Sequence, residues 1–528
     1  MPKGYTHPKF IAPTPPRSGK DSTKVAIVGA GPVGLTVAID LAQRGINVTL
    51  LDDDDTTSHG SRLICISKRT LEIFDRIGIG KLLEEKGVIW NKGRLFFQDD
   101  EIYNFDLLPE PGHAWPAFIN IQQYYVEDFL VQKAETTSGL ELRWKHAVVG
   151  LEDHDEGVSL GIETPDGSYK LDASYVIACD GAHSTIRKAL NLPFVGRAFD
   201  DRFLITDVFM KANFPSERWF WFEPPFHDGQ SALLHKQPDG VWRIDLQIAA
   251  NADPEEEIKE DKVRSRIERM LGSDIPFEIE WISLYSFRCR RLEKFRHNNI
   301  FFAGDSAHQV SPFGARGGNG GVQDADNLAW KLAKVIKGEA PDNLLDSYEA
   351  ERIPAADENI KNSSRSTDFM TPKSAAVKDL RDAVLALARQ EPFARKMVNS
   401  GRLSVPARYE SSSLITFDTS TFNDGLLPGS AAVDAPILID GREDWLLNQI
   451  GQNFTIMTWG PTPPNIPTDI FVIQIGPEND PNGLIKERYN MREGTTYLFR
   501  PDQPIAARTH QFSQEWLTAA LARSTGRH

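Results

Sequence analysis

Cysteine is scarce in this chain. Three occur among 528 residues, Cys65, Cys179 and Cys289, with no CxxC pair and no spacing that suits a metal. That excludes a disulfide framework and fits a reducing compartment. Histidines form no cluster either, so no metal is expected. Basic residues are outnumbered, 59 Lys and Arg against 74 Asp and Glu, for a net charge of -15. Nucleic acid and anionic membrane are therefore poor general partners. No apolar run approaches the roughly 18 residues needed to cross a bilayer. Residues 1–23 lack an apolar core and hold five prolines, which reads as an extended arm rather than a signal peptide. The expected location is cytoplasmic.

What is present is ordinary globular material, 40% hydrophobic and 25% charged, long enough for two to four domains. From Lys24 the chain reads strand, glycine turn, helix, strand: KVAIVGAGPVGLTVAIDLAQRGINVTLLD. In this βαβ unit Gly29 permits the tight turn, Gly31 lets a pyrophosphate approach the backbone, and Gly34 lets helix and strand pack closely. Phosphate is favoured at the helix N-terminus by free N–H groups and the macrodipole. Asp52 ends the next strand where a ribose hydroxyl would sit. The three acids after it read as a solvated turn.

A second short strand runs into Cys179-Asp180-Gly181-Ala182-His183-Ser184, where helix capping, taken alone, explains the motif better than a ligand does. A third strand, NIFFAGD, opens GDSAHQVSPFGARGGNGG, six glycines in the 18 residues from Gly304 to Gly321. Asp305 lands at the carboxyl edge of a sheet, where open α/β folds bind ligands. The amphipathic helix that follows argues against a floppy linker. Between 193 and 295 long alternating stretches predict an antiparallel sheet. In VWRIDLQI, Arg243, Asp245 and Gln247 share one face and Trp242, Ile244, Leu246 and Ile248 the other. The polar face meets either solvent or a ligand. After about 402 the pattern is α/β again: NFTIMTWG and DIFVIQIG read as strands and TYLFRPDQPIAAR as a hairpin.

In this order the three glycine motifs resemble those of the single-component FAD-dependent aromatic hydroxylases, the para-hydroxybenzoate hydroxylase and phenol hydroxylase-like family. The resemblance covers about Lys24 to Arg352, and GSRLICISKRTLEIFDRIG and FINIQQYYVEDFL look closest to 3-(3-hydroxyphenyl)propionate hydroxylase-type members. It implies an α/β fold: a Rossmann-like FAD-binding domain (24–192 and 296–402), an inserted antiparallel-sheet substrate domain (193–295), and a C-terminal thioredoxin-like domain (411–528) without redox cysteines. FAD would be held by Gly29, Gly31, Gly34, Asp52, Arg62, Gln122, Asp180, Gly304 and Asp305, and by the backbone at Gly317, Gly318 and Asn319. Arg243 would lie near the flavin, Asp245 near the aromatic substrate as the group that orients or deprotonates a phenol, and Pro312 near the reacting ring face. Trp221 and Phe222 would wall the pocket or serve as plain core, His308 would be a structural neighbour, and Arg316 is left without a role.

The implied activity is hydroxylation of a phenolic substrate, a hydroxyphenyl acid, using NADH or NADPH and O2 through a flavin C4a-hydroperoxide, in a homodimer. The rivals are an FAD-dependent dehydrogenase or reductase of the same fold without oxygen insertion, and a flavin-bearing interaction protein whose C-terminal domain does the work.

Overall fold

The computed structural model describes residues 5–527 apart from 228, 250, 273, 399–403, 419–421, 423 and 452. The first four residues of the expected arm and the end of the second FAD-binding segment thus lie outside the described residues.

The apolar runs around the three glycine motifs make one sheet. Its strands lie in the order Arg296–His297, Ile300–Phe302, Gly167–Ala178, Lys20–Val28, Val48–Leu51, Leu140–Arg143, and an antiparallel pair, Ala147–His154 and Gly157–Thr164, extends from the long third strand. The four pairings from Ile300–Phe302 across to Leu140–Arg143 are parallel. Such strands are buried on both faces and need continuous hydrophobic sequence, and Ile27, Leu50, Ile177 and Phe301 are fully buried. The first strand begins inside the expected arm: Lys20–Thr23 already pair with Lys170–Ala173. Among the described residues of the arm, the Tyr5 ring stacks on Tyr124 at 4.4 Å.

The second sheet runs His308–Gln309, Phe277–Leu292, Phe194–Met210, Val241–Ile248, Ser231–Lys236, Arg218–Phe222, Lys92–Phe97, Asp100–Asp106. It is antiparallel except where Arg218–Phe222 pairs with Lys92–Phe97 in parallel. Those last two strands come from residues 92–106, inside the stretch read as FAD-binding, because the loop between the first sheet's strands reaches across to close the sheet. One face carries Trp242, Ile244 and Leu246 against Val263 and Ile267 of the helix Glu260–Leu271. The opposite face meets the glycine-rich segment through Phe203 and Phe313, whose rings lie 5.1 Å apart.

The tail builds a four-stranded sheet, Phe471–Ile475, Thr455–Trp459, Thr496–Phe499, Ile505–Thr509, in which the last two form the expected hairpin. Among the described residues no helix is long and apolar enough to cross a membrane.

Candidate active site

Three parallel strands lie side by side, Lys20–Val28 between Gly167–Ala178 on one hand and Val48–Leu51 on the other, with Ile300–Phe302 beyond. Their carboxyl ends release Gly29, Cys179-Asp180 and Gly304-Asp305 at one edge. The motifs converge because their strands are neighbours. Cys179 N–H donates to Val28 O, Ala303 N–H to Ala178 O, and Ser306 Oγ to Ala178 O.

Close approach is enforced by missing side chains. A Cβ on Gly34 would lie 1.9 Å from Gly29 O, and one on Gly29, at φ +103°, would meet Cys179 O at 2.5 Å. Gly321 would place a Cβ 2.7 Å from Val33 Cγ2 and 3.0 Å from Gly304 Cα, so the starts of the helices Pro32–Gln43 and Gly317–Ile336 cross with no room to spare. A Cβ on Gly31 would meet nothing within 4 Å. Gly31 also caps its helix without a side-chain bond, so no side chain takes up the first-turn N–H groups there. A helix start left open in this way suits an anionic phosphate.

The acids around the edge are desolvated. Asp52 Oδ2 accepts from Ala30 N at 2.5 Å and Oδ1 from Asp54 N at 2.8 Å, yet burial outweighs both and pushes its carboxyl up to about 6. Asp180 caps the helix Thr185–Ala189 by accepting from Ile186 N at 3.1 Å, so capping is part of its work, while its Oδ1 is buried with no partner. Asp305 is exposed, but protein crowds it closely enough that desolvation raises its carboxyl, against the pull of His308 and Arg62. Arg62 itself is exposed, with its guanidinium carbon 5.9 Å from the centre of the Tyr285 ring.

FAD fits this constellation. The open space at Gly31 suits a pyrophosphate, the unpartnered Asp180 Oδ1 and the cleft-facing Asp305 offer acceptors for hydroxyls, and the N-terminus of the 20-residue helix Gly317–Ile336 offers free N–H groups to an electron-rich ring. Asn319 is committed by its side chain: Oδ1 accepts from Ser67 N at 2.9 Å and Nδ2 donates to Cys65 O at 2.8 Å, which locks that first turn to the strand Cys65–Ser67.

Gln122 and Gln123 have different surroundings. Gln122 is buried and turns its Nε2 to Pro238 O at 3.3 Å. Gln123 instead faces the Arg62 loop: its Oε1 accepts from Leu63 N at 3.0 Å and Arg62 N at 3.3 Å, and its Nε2 donates to Glu127 at 2.7 Å. Adjacent glutamines at a helix start look alike in sequence, and only the helix phase separates them.

Sequence reading also passed over the support beneath the glycine run. Asp324 is completely buried and accepts from Gly304 N at 3.0 Å, lies 2.6 Å from His308 Nε2 and accepts from Arg352 Nε at 2.7 Å. Burial alone would raise this carboxyl; His308 and Arg352 hold it below the usual range instead. The signal was available, since an acid on the apolar stripe of the amphipathic helix needs a partner. Arg316 likewise is buried and donates from Nη1 to Asn359 Oδ1 at 3.0 Å, tying the turn to the helix Asp346–Met370.

On the second sheet, Arg243 and Asp207 form a buried two-pronged pair, 2.7 Å on each side. Asp245 shares their face, its Oδ1 buried without a partner and its Oδ2 3.8 Å from His235 Nε2. Burial pushes the Asp245 carboxyl up to about 6, with Arg243 and Arg218 pulling partly back. Alternation puts Phe222 on this same face, buried, and Trp221 on the other, stacked on Phe96 at 5.1 Å. Pro312 is exposed beside the buried Phe313.

The tail meets the core through charge. Arg500 donates to Glu351 Oε1 at 2.5 Å and Oε2 at 3.0 Å, and Lys331 Nζ to Oε2 at 2.7 Å, all three fully buried. Arg352, one residue beyond Glu351, carries the network to Asp324.

Known proteins share this architecture. A family model described as FAD binding domain matches residues 22–363. A flavin-dependent monooxygenase of Mycobacteroides abscessus is 31% identical over 92% of this chain and 97% of its own length. A 3-(3-hydroxy-phenyl)propionate/3-hydroxycinnamic acid hydroxylase of Shigella sonnei is 27% identical over 84% of this chain and 79% of its own. The crystal structure of the flavin-dependent monooxygenase PieE, in complex with FAD and substrate, superposes with a TM-score of 0.82 over 96% of this chain and 99% of that one, at 22% identity.

Proposed function

We propose that this chain, which belongs to the FAD-binding domain family as a flavoprotein oxidoreductase of the flavin-dependent aromatic monooxygenases, adds one hydroxyl group to a phenolic acid with NADH or NADPH and O2 as co-substrates. FAD, when bound, supplies the oxygen activation that no side chain can provide. The Gly29–Gly34 turn and Asp52 hold its ADP half, Asp305 its ribityl chain, and the backbone from Gly317 to Asn319 its electron-rich ring edge. Asp180 and Arg62 stand at the same cleft.

One observation carries the substrate reading: Asp245, a half-buried carboxylate with one buried, unpartnered oxygen, sits on the sheet face that packs against the Pro312–Gly314 turn through Phe203 and Phe313. A buried unpartnered acceptor costs free energy unless a ligand supplies the donor. A phenol O–H is such a donor, and drawing its proton toward Asp245 enriches the ring for electrophilic attack. Arg243 is held in place by Asp207 beside the Asp245 carboxyl, whose ionised form it favours. The aromatic residues around Phe313 exclude water from the reacting ring. The hydroxylase and hydroxyphenylpropionate relatives support a small phenol as the substrate class.

The test is phenol-stimulated turnover. Holoenzyme with NADH or NADPH is expected to consume O2 and reduced nicotinamide in equal amounts when a hydroxyphenyl acid is added. Stimulated nicotinamide oxidation without oxygen uptake would instead identify a dehydrogenase.

A further inference from the structure

The segment 52–62 opens with Asp52 and closes with Arg62, so it ties together two parts of the cofactor cleft. It begins with four consecutive acids, Asp52 to Asp55, and runs as irregular backbone throughout. Adjacent like charges push one another apart, so such a segment is held by what touches it. Two of its supports belong to the body of the protein. Glu127 Oε2 accepts from Ser58 N at 2.6 Å and from Ser58 Oγ at 2.8 Å. Gly60 lies against the second sheet, where a Cβ would come within 2.5 Å of Trp281 Cε2.

The third support is the N-terminal arm. The buried Tyr5 ring, stacked on Tyr124, also meets Tyr125 edge-on at 4.9 Å, and its hydroxyl lies 3.1 Å from Thr57 Oγ1. His7 Nδ1 lies 3.1 Å from the same oxygen. Phe10 lies flat on Trp144, 4.3 Å between ring centres and 10° between planes, and its N–H donates to Asp55 O at 2.7 Å. The arm thus grips residues 55–57 at two points. Lys9 also reaches Asp55 at 3.5 Å, but its side chain is 83% exposed, so that ion pair adds little. Aromatic burial and stacking hold the arm down.

We propose that the arm is a working part of the cofactor site: Tyr5 and Phe10 are positioning residues that hold the segment 52–62 in the arrangement FAD requires. The arm lies at the chain end, so its release is a local opening rather than a loss of the fold. Docking of the arm and binding of FAD then favour each other by the same factor, as linkage requires. The inference rests on FAD lying along Gly31, Asp52 and Asp305, and not on the identity of the substrate.

FAD rebinding to stripped full-length protein, followed by flavin fluorescence, tests this. Tyr5→Ala and Phe10→Ala are each expected to weaken FAD at least about tenfold, while the thermal midpoint of the FAD-free protein stays within about 3 °C of wild type. Tyr5→Phe keeps the stack and should stay within about threefold of wild type. Reciprocally, FAD should slow tryptic cleavage after Lys9 in the wild type at least about tenfold. If Tyr5→Ala does not give soluble protein, Phe10→Ala and the cleavage assay decide. Wild-type FAD affinity in the alanine variants, an FAD-free midpoint that falls as far as that of the loaded protein, or cleavage after Lys9 at one rate with and without FAD overturns the proposal. Weak FAD binding in Gly31→Ala beside full affinity in Tyr5→Ala and Phe10→Ala would sink the arm's role and leave the cleft standing.

Discussion

Arg352 and Asp324 form a fully buried ion pair, Nε to Oδ1 2.7 Å, directly behind the turn that presents Asp305. The second oxygen of Asp324 holds Gly304 N–H and His308. The carboxylate therefore sets the backbone from which Asp305 projects, although it never reaches the cleft itself. Arg352 also donates to Gly320 O at 3.1 Å, so the same pair fixes both ends of the glycine-rich segment.

Removing one partner leaves the other charged and buried, which costs about 3–5 kcal/mol. Asp324→Asn is expected to lower the thermal midpoint of the holoenzyme by several degrees and to weaken FAD retention, read as flavin released on gel filtration. The Asp324 carboxyl ionises below its unfolded value. Its stabilisation is thus complete above the unfolded pKa and lost as pH falls through the folded one. In acid the variant and wild type should converge.

Two glycines of the first turn should respond in opposite ways. Gly34→Ala drives a Cβ into Gly29 O and is expected to unfold the nucleotide-binding unit or abolish soluble expression. Gly31→Ala meets no protein atom, so apoprotein stability should stay within about 0.5 kcal/mol. Its FAD affinity should fall at least tenfold because the methyl enters the phosphate space. Unchanged affinity in Gly31→Ala would remove the pyrophosphate from that position.

Asp245 predicts two pH dependences. If the ionised carboxylate accepts the phenol proton, kcat/KM rises with pH through about 6, and Asp245→Asn loses that ascending limb along with most of its activity. Stability moves the other way. The unfolded carboxyl releases its proton near 3.8 and the folded one near 6, so folding holds the extra proton and wild-type stability falls as pH rises between them. Asp245→Asn should therefore be more stable than wild type at pH 8, by about 1–3 kcal/mol, with the difference closing toward pH 4. Urea unfolding at the two pH values checks it.

The tail should be energetically fused to the core rather than tethered. Glu351 receives Arg500 from the tail and Lys331 from the long helix. Glu351→Gln leaves two buried cations with one acceptor fewer, and is expected to weaken the coupling between the two units by about 3–5 kcal/mol. A single calorimetric transition in the wild type that splits into two in the variant is the expected record.

Sequence carried the parts of the site that rest on backbone. Glycine turns after apolar strands are local patterns, and Gly29, Gly31, Gly34, Gly304 and Asp305 stand where strand order would put them. The alternation in VWRIDLQI correctly separated Arg243 and Asp245 from Trp242 and Ile244. What it could not carry was pairing between distant residues. Asp324 looked like one polar residue on a helix, and its partners are 16 and 28 positions away. The glutamine that faces the Arg62 loop differs from its neighbour by one residue of helix phase. The contribution of residues 92–106 to the second sheet is a long-range pairing with no local signature.

The proposed function requires oxygen to be inserted into a phenol at the face shared by Asp245 and the glycine-rich turn. Turnover of FAD-loaded protein with NAD(P)H, 3-(3-hydroxyphenyl)propionate and 18O2 measures this most directly. The expected result is a dihydroxylated product carrying one 18O atom per molecule, formed in proportion to the nicotinamide oxidised and lost in Asp245→Asn. Nicotinamide oxidation with all of the oxygen recovered as hydrogen peroxide and the phenol unchanged, or with no oxygen consumed, contradicts it.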